Sequence, residues 1–96
     1  MKPTKLTDAE VQTSLKSVPE WALSGAQIER TYVFKDFVGA MAFVTKVAEY
    51  AEKAQHHPNI LIRWNKVTLS VNTHDCSGIS VKDFDLAAAA DAIAFK

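Results

Sequence analysis

Apolar positions change their period several times along the chain, and each change marks an element. Thr7 with Glu10 three residues on has the spacing of a capping box, which predicts a short helix to about Lys16 with Val11 and Leu15 turned inward and Pro19 ending it. "EWALSG" and "QIERTYVFK" read as two short strands joined at Ser24-Gly25. Ile28, Tyr32 and Phe34 stand at even spacings on one face, as a half-buried strand requires. Asp36 is placed to cap a long helix in which Phe37, Met41, Val44, Val47, Ala51 and Ala54 recur at threes and fours as one stripe. Pro58 disfavours helical geometry at His57, so this helix is expected to finish near His56. "NILIRW" and "VTLSVNTH" are β-rich runs separated at Asn65-Lys66 by a tight hairpin, with His74 ending the second. "DCSG" is a turn. Ser80 then caps a final alanine-rich helix whose weaker stripe passes through Phe84, Ala88, Ala92 and Phe95. The order α-β-β-α-β-β-α contains two hairpins. It predicts an α+β fold, a four-stranded antiparallel sheet with helices packed on one face.

Composition narrows the functional classes. Ninety-six residues, nearly half of them hydrophobic, suit one domain spanning 1–96 with a core of its own. Eleven basic side chains balance eleven acidic ones, which argues against a nucleic-acid footprint or a polybasic membrane anchor. Cys76 is the single cysteine, so no intramolecular disulfide is expected and a reducing cytoplasm fits. Met1-Lys2-Pro3-Thr4 leads into polar residues without an apolar h-region, so no signal peptide is expected. No apolar run reaches the length of a bilayer span.

The candidate chemistry lies in three histidines. His56 is expected at a helix C-terminus, where the dipole favours the cationic ring. His57 sits extended before Pro58 and should point another way, and His74 lies at the end of a strand. A helix end and a strand end can meet at one rim of a sheet, so all three rings can face one cleft. Imidazoles titrate near neutral pH and suit proton transfer there. The alternatives are ordinary surface histidines or a zinc site. Adjacent histidines are not the usual metal-binding pair, and no carboxylate is placed as an evident supporting partner. Cys76 as a nucleophile lacks an oxyanion-hole motif around it. Polar cleft residues add little to a core, so replacing any of the three is expected to leave the melting temperature nearly unchanged.

The stretch "EKAQHHPNILIRWNKVTLSVNTHDCSGISVKD", from Glu52 to Asp83, resembles the pterin-4a-carbinolamine dehydratases, known in animals also as dimerisation cofactors of a homeodomain transcription factor. The family pattern is a charged residue, His-His-Pro, an aromatic, a further His and then Asp. Here these are Glu52, His56, His57, Pro58, Trp64, His74 and Asp83. "PEW" near the start, "NKV" after the aromatic and "THDCSG" also resemble the family. Asn59-Ile60-Leu61 departs from it, since many relatives carry an aromatic soon after the proline.

The resemblance implies a hydro-lyase that removes water from 4a-hydroxytetrahydrobiopterin, giving the quinonoid dihydropterin in recycling of the pterin cofactor. A proton is delivered to the departing 4a-hydroxyl and one is taken from ring nitrogen N5, without metal or organic cofactor. The resemblance makes His56 and His74 the acid and base, and His57 a catalytic group that also contacts the pterin. Glu52, Trp64 and Asp83 join the substrate-binding set. Each has a second reading. Glu52 can stabilise a His56 imidazolium one turn on or be an exposed charge. Asp83 can be a capping-box residue with Ser80, and Trp64 can pack on the sheet beside the pocket. Relatives form dimers and tetramers, and some serve as partners or assembly factors of other proteins. A homo-oligomer is therefore implied, with a non-catalytic interaction module on the same fold as the alternative.

Overall fold

The computed structural model describes residues 3–95. The opening Met1-Lys2 and the closing Lys96 of the expected domain lie outside the described residues. Helix α1 (Asp8–Leu15) begins at Thr7, whose hydroxyl accepts from the Glu10 N–H while the Glu10 carboxylate accepts from the Thr7 N–H. Strands β1 (Ala22–Ser24) and β2 (Gln27–Val33) form a hairpin turned at Gly25, whose φ of 61° favours glycine. Helix α2 (Phe37–Ala54) starts at Asp36, whose carboxylate caps Gly39 N–H. Strands β3 (Asn59–Arg63) and β4 (Lys66–Val71) follow, then a 3-10 turn (His74–Cys76) and helix α3 (Val81–Ala94).

The sheet runs β1-β2-β4-β3 and every pair is antiparallel. Ile28 and Tyr32 of β2 lie on the face shared by Val67, Leu69 and Val71 of β4, and all five are buried. The opposite face carries Thr31 and Thr68, whose hydroxyls pair at 2.8 Å. Helices α2 and α3 therefore cover one face, as the alternation requires. Among the described residues no helix is long and apolar enough to cross a membrane.

Both long helices are turned relative to the expected stripes. On α2 the buried residues are Ala40, Phe43, Val47 and Ala51, while Phe37, Met41 and Ala54 are exposed. The reason is aromatic: Phe43 packs 4.7 Å from the Tyr32 ring centroid and 4.9 Å from that of Phe34, which turns the 40–43–47 face to the sheet. On α3 the inward residues are Asp83, Phe84, Leu86, Ala87 and Ala90, while Ala88, Ala92 and Phe95 face out. Alanine on all sides leaves the apolar pattern indifferent to rotation. Two aspartates choose the face instead. The Oδ1 atom of Asp91 accepts from Trp21 Nε1 at 3.0 Å, Arg30 at 2.8 Å and the Tyr32 hydroxyl at 2.5 Å.

Burial, with the Asp91 hydrogen bond and charge adding to it, raises the Tyr32 phenol well above its ordinary range; Arg30 opposes the shift. Unfolded tyrosine ionises near pH 10, whereas folded Tyr32 stays protonated. Its contribution is thus complete below about pH 10 and lost as pH rises above it, at about 1.4 kcal/mol per pH unit. Urea midpoints measured from pH 8 to 12 are expected to fall above pH 10. Tyr32→Phe should be less stable at pH 8 but fall less steeply. An equal slope in the variant would contradict this assignment.

Candidate active site

Helix α2 ends where the first two histidines begin. Gln55 is left-handed at φ 54°, and its side-chain amide donates to the Glu52 carbonyl at 2.7 Å. The His56 N–H returns to the Ala51 carbonyl at 3.1 Å, so the chain reverses out of the helix in a Schellman-type cap. His56 therefore lies beyond the helix rather than in its last turn, and the i, i+4 ladder from Glu52 does not reach it. His57, before Pro58, points outward, and Glu52 pairs with this ring instead: Glu52 Oε2 is 2.5 Å from His57 Nε2, with both side chains largely exposed.

His56 turns inward. Its Nε2 is 2.6 Å from Asp83 Oδ1, and Asp83 is 0% exposed. Oδ2 of the same carboxylate accepts from the Ser80 N–H at 2.9 Å and from the Thr73 hydroxyl at 2.8 Å. Asp83 is thus both the capping-box residue of α3 and the partner of a histidine. The expectation that no carboxylate is placed to support the histidines is corrected: Glu52, five residues earlier, meets His57 rather than His56, and Asp83 of α3, 27 residues on, meets His56. His74 does not end β4, which stops at Val71. It opens the 3-10 turn, with Thr73 and Gly78 bridging beneath it.

His56, His57 and His74 line one cavity of about 280 Å³, together with Gln55, Asn72, Thr73, Asp75 and Lys82. That is near the lower end for small-molecule sites. These residues come from the segment that follows α2, from the 3-10 turn and its approach, and from the start of α3. Among the described residues, no group of three or more His, Cys, Asp or Glu side chains is arranged to hold a metal.

Trp64 is not brought to this cavity within its own chain. The β3–β4 turn is Trp64-Asn65, one residue earlier than expected, since Arg63 pairs with Lys66. Trp64 sits there at φ 53° and is 70% exposed. The histidines meet the other end of the hairpin, five strand residues and roughly 16 Å away. The correction for Trp64 is therefore one of place: the strand length separates it from the site. Thr73 is not among the residues that the sequence motif names. The signal was present, because Val67, Leu69 and Val71 mark a buried alternate register and Thr73 continues it. A hydroxyl in such a register needs a partner.

Residues 4–93 match the family model described as pterin 4 alpha carbinolamine dehydratase. A protein of Acidobacterium capsulatum named "Putative pterin-4-alpha-carbinolamine dehydratase" is 52% identical over 89 residues, covering 93% of this chain and 97% of the relative. A protein of the same name from Picosynechococcus is 49% identical over 88 residues, covering 92% and 96%. The crystal structure of a transcriptional coactivator/pterin dehydratase from Brucella melitensis superposes with a TM-score of 0.91 at 34% identity, over 95% of this chain and 99% of that one. A pterin dehydratase-like protein identified as a RuBisCO assembly factor in the alpha-carboxysome shares the fold at a TM-score of 0.65 and 21% identity, over 77% and 86%.

Proposed function

Because the chain belongs to the pterin-4-alpha-carbinolamine dehydratase family, we propose that it removes water from a 4a-hydroxytetrahydropterin, of the biopterin type, to give the quinonoid dihydropterin. The observation that carries this reading is the convergence of His56, His57 and His74 on one cavity from two segments, the exit of α2 and the 3-10 turn after β4. Loss of water requires a proton at the departing 4a-hydroxyl as its bond to C4a breaks. The N5 proton leaves to a base, and its electron pair forms the new C=N bond. Imidazoles supply both functions near neutral pH. In this reading His56 and His74 exchange the protons. His57, oriented by Glu52, contacts the pterin and can share the role of base, while Asp83 holds His56.

The test is dehydration of enzymatically generated 4a-hydroxytetrahydropterin with and without the protein. Acceleration is expected, and a strong chelator should leave it unchanged, since the proposed reaction uses neither metal nor organic cofactor. Activity lost on chelation and restored by zinc would defeat that mechanism. A reducing cytoplasm is the compartment proposed, from the lone Cys76.

A second reading, a protein-interaction module on the same fold, draws on an exposed apolar end of the molecule. Val33, Phe37, Val38, Met41 and Trp64 are all exposed there, Val38 at 75%. The backbone of Phe34 bonds to Asn65 in the hairpin turn, placing this set around one end of the sheet. Strands β1 and β3 are also open edges. Both features support self-association, and light scattering is expected to report a dimer or larger. A 10.6 kDa particle at micromolar concentration would contradict this. No acceleration in the dehydration assay would leave the interaction reading in possession.

A further inference from the structure

Thr73 lies in the apolar register of β4, 2% exposed, between two polar side chains. The direction of every hydrogen bond around it follows from counting protons. The Thr73 hydroxyl donates its single proton to Asp83 Oδ2 at 2.8 Å. The 2.6 Å contact between Thr73 Oγ1 and Ser80 Oγ must then have Ser80 as donor, and Ser80 Oγ accepts from the Lys82 N–H at 3.2 Å. The chain of donors runs one way, from helix α3 through Ser80 and Thr73 into Asp83 Oδ2. Oδ1 is left for His56 Nε2 at 2.6 Å, and a carboxylate oxygen at that distance calls for a proton on the ring nitrogen. A capping box needs only Ser80 and Asp83; the Thr73 hydroxyl is an addition to it. The Thr73 backbone also carries the turn that presents His74, accepting from Cys76 N–H at 3.2 Å and donating to the Gly78 carbonyl at 2.7 Å.

We propose that Thr73 is a positioning residue which, through Asp83, holds the neutral His56 ring as the tautomer protonated on Nε2, leaving Nδ1 as the nitrogen that takes a proton. Replacing the hydroxyl by a methyl removes one of the two donors on Oδ2 and strands the Ser80 proton. The carboxylate is then free to rotate, and His56 loses a fixed acceptor. The inference rests on the proposed dehydration only for its kinetic consequence, since the tautomer is a property of the free protein.

The experiment is nitrogen-15 NMR of the histidine rings at pH 8, on the parent, Thr73→Val and Thr73→Ser, with kcat for dehydration measured on each. Asp83 and Lys82 of α3, Glu52 of α2, neighbouring His57, and His74 and Asp75 of the turn are the charged and titratable groups around His56, and their composition is the same in all three proteins. The parent is expected to show His56 protonated on Nε2. In Thr73→Val the ring should become a tautomer mixture and kcat should fall roughly tenfold or more; Thr73→Ser should restore both. An Nδ1-protonated ring in the parent overturns the proposal. So does a Thr73→Val protein whose His56 signals are unchanged although kcat falls. If Thr73→Val does not fold, the parent spectrum and Thr73→Ser still decide. Ring signals as expected in a protein without dehydratase activity would support the positioning and defeat the reaction. The wrong tautomer in an active enzyme would defeat the positioning alone.

Discussion

His74→Ala is expected to lower kcat for pterin dehydration by roughly ten- to ten-thousand-fold, the span that a positioned acid or base supplies, with the melting temperature within a few degrees of the parent. His74 is exposed at the start of its turn, so truncation removes little packing. His56→Ala should lower kcat over the same range but also destabilise the fold. Its Nε2 satisfies Oδ1 of a carboxylate that is 0% exposed, and an unpaired buried acceptor costs about 1–3 kcal/mol. For a chain of this size each kcal/mol lowers the midpoint by about 4–8 °C. The expectation that all three histidines are neutral to stability therefore changes for His56 alone. His57→Ala should raise KM, since its ring meets solvent and Glu52 rather than the core. Full turnover by the folded fraction of both His56→Ala and His74→Ala would mean that these rings are structural.

Asp91→Ala is expected to cost about 2–4 kcal/mol and lower the melting temperature by roughly 10–25 °C. One oxygen of Asp91 gathers the Trp21 indole, the Arg30 guanidinium and the Tyr32 hydroxyl, all part-buried. Arg30 also lies 4.4 Å over the Tyr32 ring. Removing the carboxylate leaves these donors without a shared acceptor and a guanidinium without its counter-charge, the arrangement in which loss of one partner is costly. Asp91 stands eight residues from Asp83 on the same helix, about 12 Å along its axis. Turnover measured well below the melting temperature should therefore remain near the parent value. Urea unfolding gives the stability, and a loss under 1 kcal/mol would show that the cluster is mostly solvated.

The sequence by itself determined the features set by rules that act within a few residues. The Thr7–Glu10 and Ser80–Asp83 caps, the helix start at Asp36, the break before Pro58 and the alternation of Ile28 with Tyr32 each need only their neighbours. With them came the element order and the antiparallel sheet. The family motif from Glu52 to Asp83 also stood in the sequence as a spacing of residue types. Tertiary structure decided which way the helices turn, because an alanine-rich α3 has no preferred apolar side. Its rotation follows from carboxylates whose partners lie far along the chain: 27 residues separate Asp83 from His56 and 70 separate Asp91 from Trp21. It also decided that Glu52 serves His57 while Asp83 serves His56, and that Trp64 stands at the far end of its hairpin. A left-handed Gln55 and the length of β3 settle those placements, and both are matters of the chain's path through space, which a spacing of residue types does not encode.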